Sequence, residues 1–126
     1  MSEKKRLEHV SDIPYGLLRI YFSKNPKIKK AQGFFGSIST PPEYEAVIKA
    51  AQAHGIPFGK AKHSHMGYAE DEQIQRDLGE LPNPMLPIYV ELVGERDKLM
   101  DFCEEQHDLL KGKSMFFSEV HKWKVT

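Results

Sequence analysis

Apolar positions along this chain change period, and each change marks an element. Tyr15–Phe22, YGLLRIYF, is almost wholly aromatic and aliphatic, which suits a central strand covered on at least one face. In the stretch that follows Thr40 the period becomes helical: Tyr44, Val47, Ile48 and Ala51 fall on one face. Thr40 can act as N-cap there, Pro41 stands in the first turn, and Glu43 closes a capping box. Gly55 follows His54 where a left-handed C′ residue is wanted. Ile56–Met66 then alternates, with Gly59, Ala61, His63 and His65 on one side and Lys60, Lys62 and Ser64 on the other. Leu86–Val93, LPIYVELV, reads as a third strand. Glu95–Leu110 is predicted to be a second helix with Leu99, Phe102, Cys103 and Leu110 as its apolar stripe. Glu95 and Asp97 near its start and Lys111 at its end suit the helix dipole, and Gly112 stops it. Ser114–Val125, SMFFSEVHKWKV, is the fourth strand.

Two segments keep no period. Ser23–Ser39 holds four lysines and no acid, and Gly67–Met85 holds five acids against Arg76. Both are read as long loops of opposite charge. Residues 1–14 are a polar N-terminal arm, expected to be frayed, with a helical turn near Leu7–Val10. Residues 15–126 are expected to form one domain.

The order β-α-β, loop, β-α-β predicts an α+β fold, a ferredoxin-like βαββαβ sandwich with both helices on one sheet face. The long loops follow strand one and strand two. The other face is left with Tyr, Phe and Trp candidates. Burial against copies of the same chain is the simplest way to cover them, so an oligomer is expected.

Composition narrows the class. A chain of 126 residues is one domain with room for a core. Its 18 basic and 18 acidic residues cancel, so bulk charge names no nucleic-acid or membrane partner. One cysteine, Cys103, leaves no intrachain disulfide and fits a reducing compartment. No apolar run is long enough to span a bilayer, and the first residues lack an apolar signal core. A soluble, cytoplasmic protein is expected.

Two constellations could carry chemistry. His63 and His65, two apart on a strand, could reach one zinc or copper ion, with His121 as a third ligand. No HExxH or CxxC accompanies them, and the plainer reading is two histidines in an interface or against the helix layer. Lys60, Lys62, Lys111, Lys113, Lys122 and Lys124 cluster on strands two and four. They make an anion pocket if those strands or their symmetry mates approach, and are otherwise ordinary edge lysines. Cys103 lies on the apolar stripe and reads as core, not nucleophile. No carboxylate pair stands out as general acid and base, so no enzyme is expected.

LLRIYF, PPEYEAVIKAAQAHGI with a strand ending MGYA, LPIYVELVGERDKLMDF, and a final strand ending KWKV together resemble a known family. They are similar, in order and spacing, to the PII-like signalling proteins of the domain of unknown function 190 group. Gly55-Ile56 matches that family's Ala-Gly-Ile turn, and Gly67-Tyr68-Ala69 stands for its Gly-Phe-Gly. The resemblance implies a homotrimer that binds adenine nucleotides or other small anions in clefts between subunits. It places Gly67 and Tyr68 at the base of the mobile T-loop, and Lys111–Lys113 in the B-loop. Relatives encoded beside fluoride exporters suggest a membrane transporter or other target protein as partner. The site expected from residues and resemblance together is Lys60, Lys62, Gly67, Tyr68, Gly112, Lys113 and Lys122. The alternative is a metal-binding trimer of the copper-tolerance type using His63 and His65, and a third reading is a scaffold without ligand.

Overall fold

The computed structural model describes residues 7–9, 13–22, 42–70, 72–79, 83 and 85–125. In chain order the elements are β1 (Leu7–His9), β2 (Tyr15–Phe22), α1 (Glu43–His54), β3 (Phe58–His63), β4 (Met66–Gly67), β5 (Gln75–Arg76), β6 (Ile88–Glu95), α2 (Arg96–Glu105), α3 (His107–Leu110), β7 (Ser114–Val120) and β8 (Trp123–Val125). The main sheet runs β3-β6-β2-β7, and every pairing in it is antiparallel. That is the predicted ferredoxin-like order, with β6 inserted between β3 and β2.

Strict alternation on the two central strands sets the faces. On β2, Gly16, Leu18, Ile20 and Phe22 are buried, while Tyr15, Leu17, Arg19 and Tyr21 lie on the opposite face. On β6, Ile88, Val90, Leu92 and Gly94 are buried in the same way. These side chains join Val47 and Ala51 of α1 and Leu99 and Phe102 of α2 in one core. Helix α1 packs on β3 and β6, and α2 packs on β6 and β2. Phe22, Ile20, Val47, Val90, Leu92, Leu99 and Phe102 are sealed from solvent, and each contributes about 1.5–3 kcal/mol by burial.

Two glycines carry conformational or steric weight. Gly55 has φ 91°, and the backbone N–H groups that close the end of α1 reach the carbonyls of Ala51 and Gln52, as the left-handed stop requires. At Gly16 a Cβ would stand 2.2 Å from Phe117 Cε2, so the Phe117 ring lies directly on the β2 backbone.

Several expected boundaries move. The residue at the cap of α1 is Pro42, with no side-chain capping bond, and Thr40 and Pro41 lie outside the described residues. The second strand stops at His63: Ser64 still stands opposite Pro87 and gives both its N–H and its Oγ to the Pro87 carbonyl, at 3.3 and 2.9 Å, but proline has no N–H to donate back, so the pairing goes no further. His65 therefore leaves the strand face that carries His63. The predicted second helix is two, because Gln106 departs from helical dihedrals at φ −99°, ψ 29° and its carbonyl accepts from Leu109 and Leu110. The predicted fourth strand breaks after Val120. Its last part, β8, pairs with β1, so the arm expected to fray, with a helical turn, supplies a strand instead. Ladder groups on a strand end need partners, and β1 provides them.

Of the two predicted loops, Ser23–Ser39 lies outside the described residues. Gly67–Met85 holds structure of its own: β4 and β5 pair through Met66↔Arg76 and Gly67↔Gln75. Asp77 N–H donates to His65 O at 2.8 Å, and Asn83 Nδ2 donates to Arg76 O at 2.8 Å.

Candidate functional site

One end of the sheet collects most of the polar features. The pairings Tyr21↔Ser114, Phe22↔Ile88 and His63↔Ile88 bring the last residues of β2 and β3 level with the first residues of β6 and β7. The turn before β7 and the start of α1 meet at this end. In that turn Gly112 has φ 79°, a conformation that favours glycine, and Lys113 N–H donates to Leu110 O at 3.0 Å.

This turn aims Lys113 inward. Its Nζ lies 2.7 Å from Glu43 Oε2 and 5.6 Å from the centroid of the Phe22 ring. Both charged side chains are about four-fifths buried, with 20% and 19% exposed. Glu43 Oε2 has no hydrogen-bond partner among the described residues, so the contact is an ion pair of non-hydrogen-bonding angle. The next residue, Ser114, donates from Oγ to Glu70 Oε1 at 3.3 Å. The start of β7 and the chain just beyond the β4 strand thus touch within one subunit.

On the face without helices, two cross-strand rows run from edge to edge. One is Lys62, Tyr89, Tyr21, Ser114, and the next is Lys60, Glu91, Arg19, Phe116. Glu91 is the hub of the second row: Arg19 Nε lies 2.9 Å from Oε1, and Lys60 Nζ lies 3.2 Å from Oε2. Burial works to raise the Glu91 pKa, but the hydrogen bonds and charges of Arg19 and Lys60 outweigh it and hold the carboxyl below its ordinary value. The same hydrogen bond raises the pKa of Arg19. Aromatic rings frame the row, with Arg19 Cζ 5.0 Å from the Tyr89 centroid and Tyr21 packed against both Tyr89 and Phe116.

The predicted site residues divide into four places. Gly112 and Lys113 sit at the β7 edge, and Gly67 sits in the β4–β5 hairpin with Tyr68 exposed beside it. Lys60 and Lys62 lie on β3, at the opposite edge of the same sheet. Three strand spacings separate the edges, about 14 Å. Lys122 is at the far end: its Nζ lies 3.4 Å from the Tyr15 hydroxyl and 5.2 Å from the centroid of that ring. Tyr15 and Tyr21 are six residues apart on β2, about 20 Å. One subunit therefore does not bring Lys122 to Lys113, nor Lys60 to either.

The histidines part company. The His63 ring meets Tyr44 of α1 edge-on at 5.5 Å, while His65 Nδ1 lies 2.6 Å from Asp77 Oδ2 in the hairpin. Among the described residues no group of three His, Cys, Asp or Glu is placed to hold a metal ion. Cys103 is half-buried and lines an apolar groove of about 300 Å³ with Leu18, Leu99, Met100, Glu104 and Phe117. Burial pushes its thiol pKa up, which disfavours the thiolate.

Sequence reasoning passed over Glu43, Glu70, Arg19 and Glu91. Glu43 reads as a capping-box residue until Lys113 is seen beside it. Arg19 and Glu91 were each visible as a lone charge in an otherwise apolar strand, a pattern that asks for a cross-strand partner.

A β3-β6-β2-β7 antiparallel sheet with helices on one face, a hairpin after its second strand and a glycine turn before its last defines the PII-like class of ferredoxin-like folds. The chain belongs to the DUF190 family, described as an uncharacterised ACR, whose family model matches residues 15–122. A similar solved structure is that of CPII bound to ADP and bicarbonate, from Thiomonas intermedia K12. It has TM-score 0.56 and 10% identity, covering 93% of this chain and 91% of that one. A second is described as a PII-like signalling protein from Thermus thermophilus, with TM-score 0.50 and 9% identity, covering 90% of this chain and 91% of that one. Comparison with curated proteins finds no match. No helix among the described residues is long and apolar enough to cross a membrane.

Proposed function

We propose that this chain is a non-enzymatic sensor of a small anion, an adenine nucleotide or a simple oxyanion, acting in the cytoplasm as a homotrimeric regulator. The ligand sits between subunits. Lys60 and Lys62 come from the β3 edge of one copy, and Gly112 and Lys113 from the β7 edge of the next. Gly67 and Tyr68 stand at the root of the segment that signals to a target protein, such as a membrane transporter. One observation carries the reading. The two lysine groups occupy opposite edges of a single four-stranded sheet, so a cleft lined by both needs two copies. The ion-paired, aromatic face of Tyr21, Tyr89 and Phe116 offers the surface on which copies would associate. The fold similarity to CPII, which was solved with ADP and bicarbonate, makes those two the first ligands to try.

The test is a thermal-shift panel of AMP, ADP, ATP, bicarbonate, zinc and copper, run beside light scattering. At 100 times its dissociation constant a ligand of the folded state adds about 2.7 kcal/mol. A rise with an adenine nucleotide or bicarbonate on a trimeric species is expected. A monomer that responds to none of the anions overturns the reading.

A further inference from the structure

We infer that Glu43 is the specificity-determining residue of the anion cleft: it holds Lys113 in the ligand-free protein, so only an anion that outcompetes a carboxylate gains that lysine. The inference rests on the anion-sensor reading and deepens it.

Three observations lead there. Lys113 is one of the two lysines of the turn before β7, yet it is not free to await a ligand: Glu43 Oε2 lies 2.7 Å from its Nζ, and the Phe22 ring also faces the ammonium. Glu43 has little else to hold it. Its Oε2 accepts no hydrogen bond among the described residues, so the ion pair with Lys113 is what holds that oxygen. A carboxylate fixed by one partner is exchangeable. Finally, Glu43 lies in the first turn of α1, where the positive end of the helix keeps a displaced carboxylate at low cost.

Exchange sets a threshold on charge. A monoanion such as bicarbonate replaces Glu43 like for like and gains little from Lys113. A terminal phosphate carries about −1.5 to −2 charges and three strong acceptors, and so wins the exchange. Glu43 therefore tilts the cleft toward di- and triphosphates over monoanions. It also ties ligand arrival to the start of α1, because the ligand frees that helix end from the turn before β7.

The experiment titrates ADP and sodium bicarbonate by calorimetry into the wild type, Glu43→Gln, Lys113→Met and the double variant. Acetylation of Lys113 in the ligand-free protein is followed by mass spectrometry. The expected results are an ADP affinity about tenfold higher in Glu43→Gln, in keeping with a partly buried pair, and a narrower gap between ADP and bicarbonate. The same substitution should have no effect in the Lys113→Met background, and Lys113 should be acetylated faster in Glu43→Gln than in the wild type. If the wild type binds ADP and Glu43→Gln binds it equally or more weakly, Glu43 is not a competitor, while the anion-sensor reading stands. If neither protein binds ADP or bicarbonate, although Lys113 becomes reactive in Glu43→Gln, the sensor reading falls and this inference with it.

Discussion

Arg19 on β2 and Glu91 on β6 face each other across the sheet, and Arg19 Nε donates to Glu91 Oε1 at 2.9 Å. Lys60 approaches the other oxygen of the same carboxylate, so Glu91 is held from both sides on the face that carries no helix. Three charges in one row fix the register of β3, β6 and β2 from above, while the apolar alternation fixes it from below.

A dependence on pH follows. The folded-state pKa of Glu91 lies below its ordinary value, so its contribution to stability is present above the unfolded carboxylate pKa and is lost as pH falls through the folded one. Urea midpoints should therefore drop from pH 7 toward pH 3, and Glu91→Gln should flatten part of that drop. Equal slopes for the two proteins would count against the row.

Gly55 gives a test of backbone conformation. Its φ of 91° is strained for any residue with a Cβ. Gly55→Ala should cost about 1–2 kcal/mol, read from chemical denaturation. Nearby space is open apart from the Lys98 ammonium at 3.6 Å, so a loss well beyond that range would mean the cost is steric instead.

Core position and groove position should separate clearly on α2. Phe102 is wholly buried, and Phe102→Ala should destabilise by about 3–5 kcal/mol. Met100 is 54% exposed, and Met100→Ala should stay within about 0.5 kcal/mol in a monomeric reference state. A large loss at Met100 would show that the groove beside Phe117 is covered in the assembled protein.

Intersubunit sharing can be tested by complementation. Lys62→Glu and Lys113→Glu should each weaken anion binding severely in a homo-oligomer. Co-refolding the two should recover sites where an intact β3 edge meets an intact β7 edge. No recovery on mixing would place both lysines outside a shared cleft.

The legible part of the fold lay in strong local patterns. YGLLRIYF and LPIYVELV read correctly as strands, although the third strand runs two residues later, and Gly55 ended its helix where expected. Features made by distant segments were not legible. The β1–β8 ribbon joins residues from the two ends of the described chain, and neither three-residue strand has a pattern of its own. His65 was placed beside His63 by alternation alone, and alternation could not foresee that the ladder would end where Ser64 meets Pro87, which has no N–H to give. The lysine cluster was read as a pocket made by those strands or by their symmetry mates, and only the sheet order shows that β3 and β7 are opposite edges of one subunit. Lys113 and Glu43 stand far apart in sequence, and only the packed turn makes them partners.

The position of β2 in the sheet also has a kinetic side. Its two neighbours are β6 and β7, and its register with β7 joins Tyr15 to Val120. At about 5–20 residues per second, a ribosome takes roughly 5–20 seconds to make the intervening chain. For the part of that time before Ile88 is made, roughly 3–13 seconds after Phe22, the apolar strand β2 has neither partner in existence. Such distant pairings slow folding as well, because loop closure precedes any gain from contact. The newborn chain is thus a natural client for a holding chaperone, and its hazard is greatest before residue 88 appears.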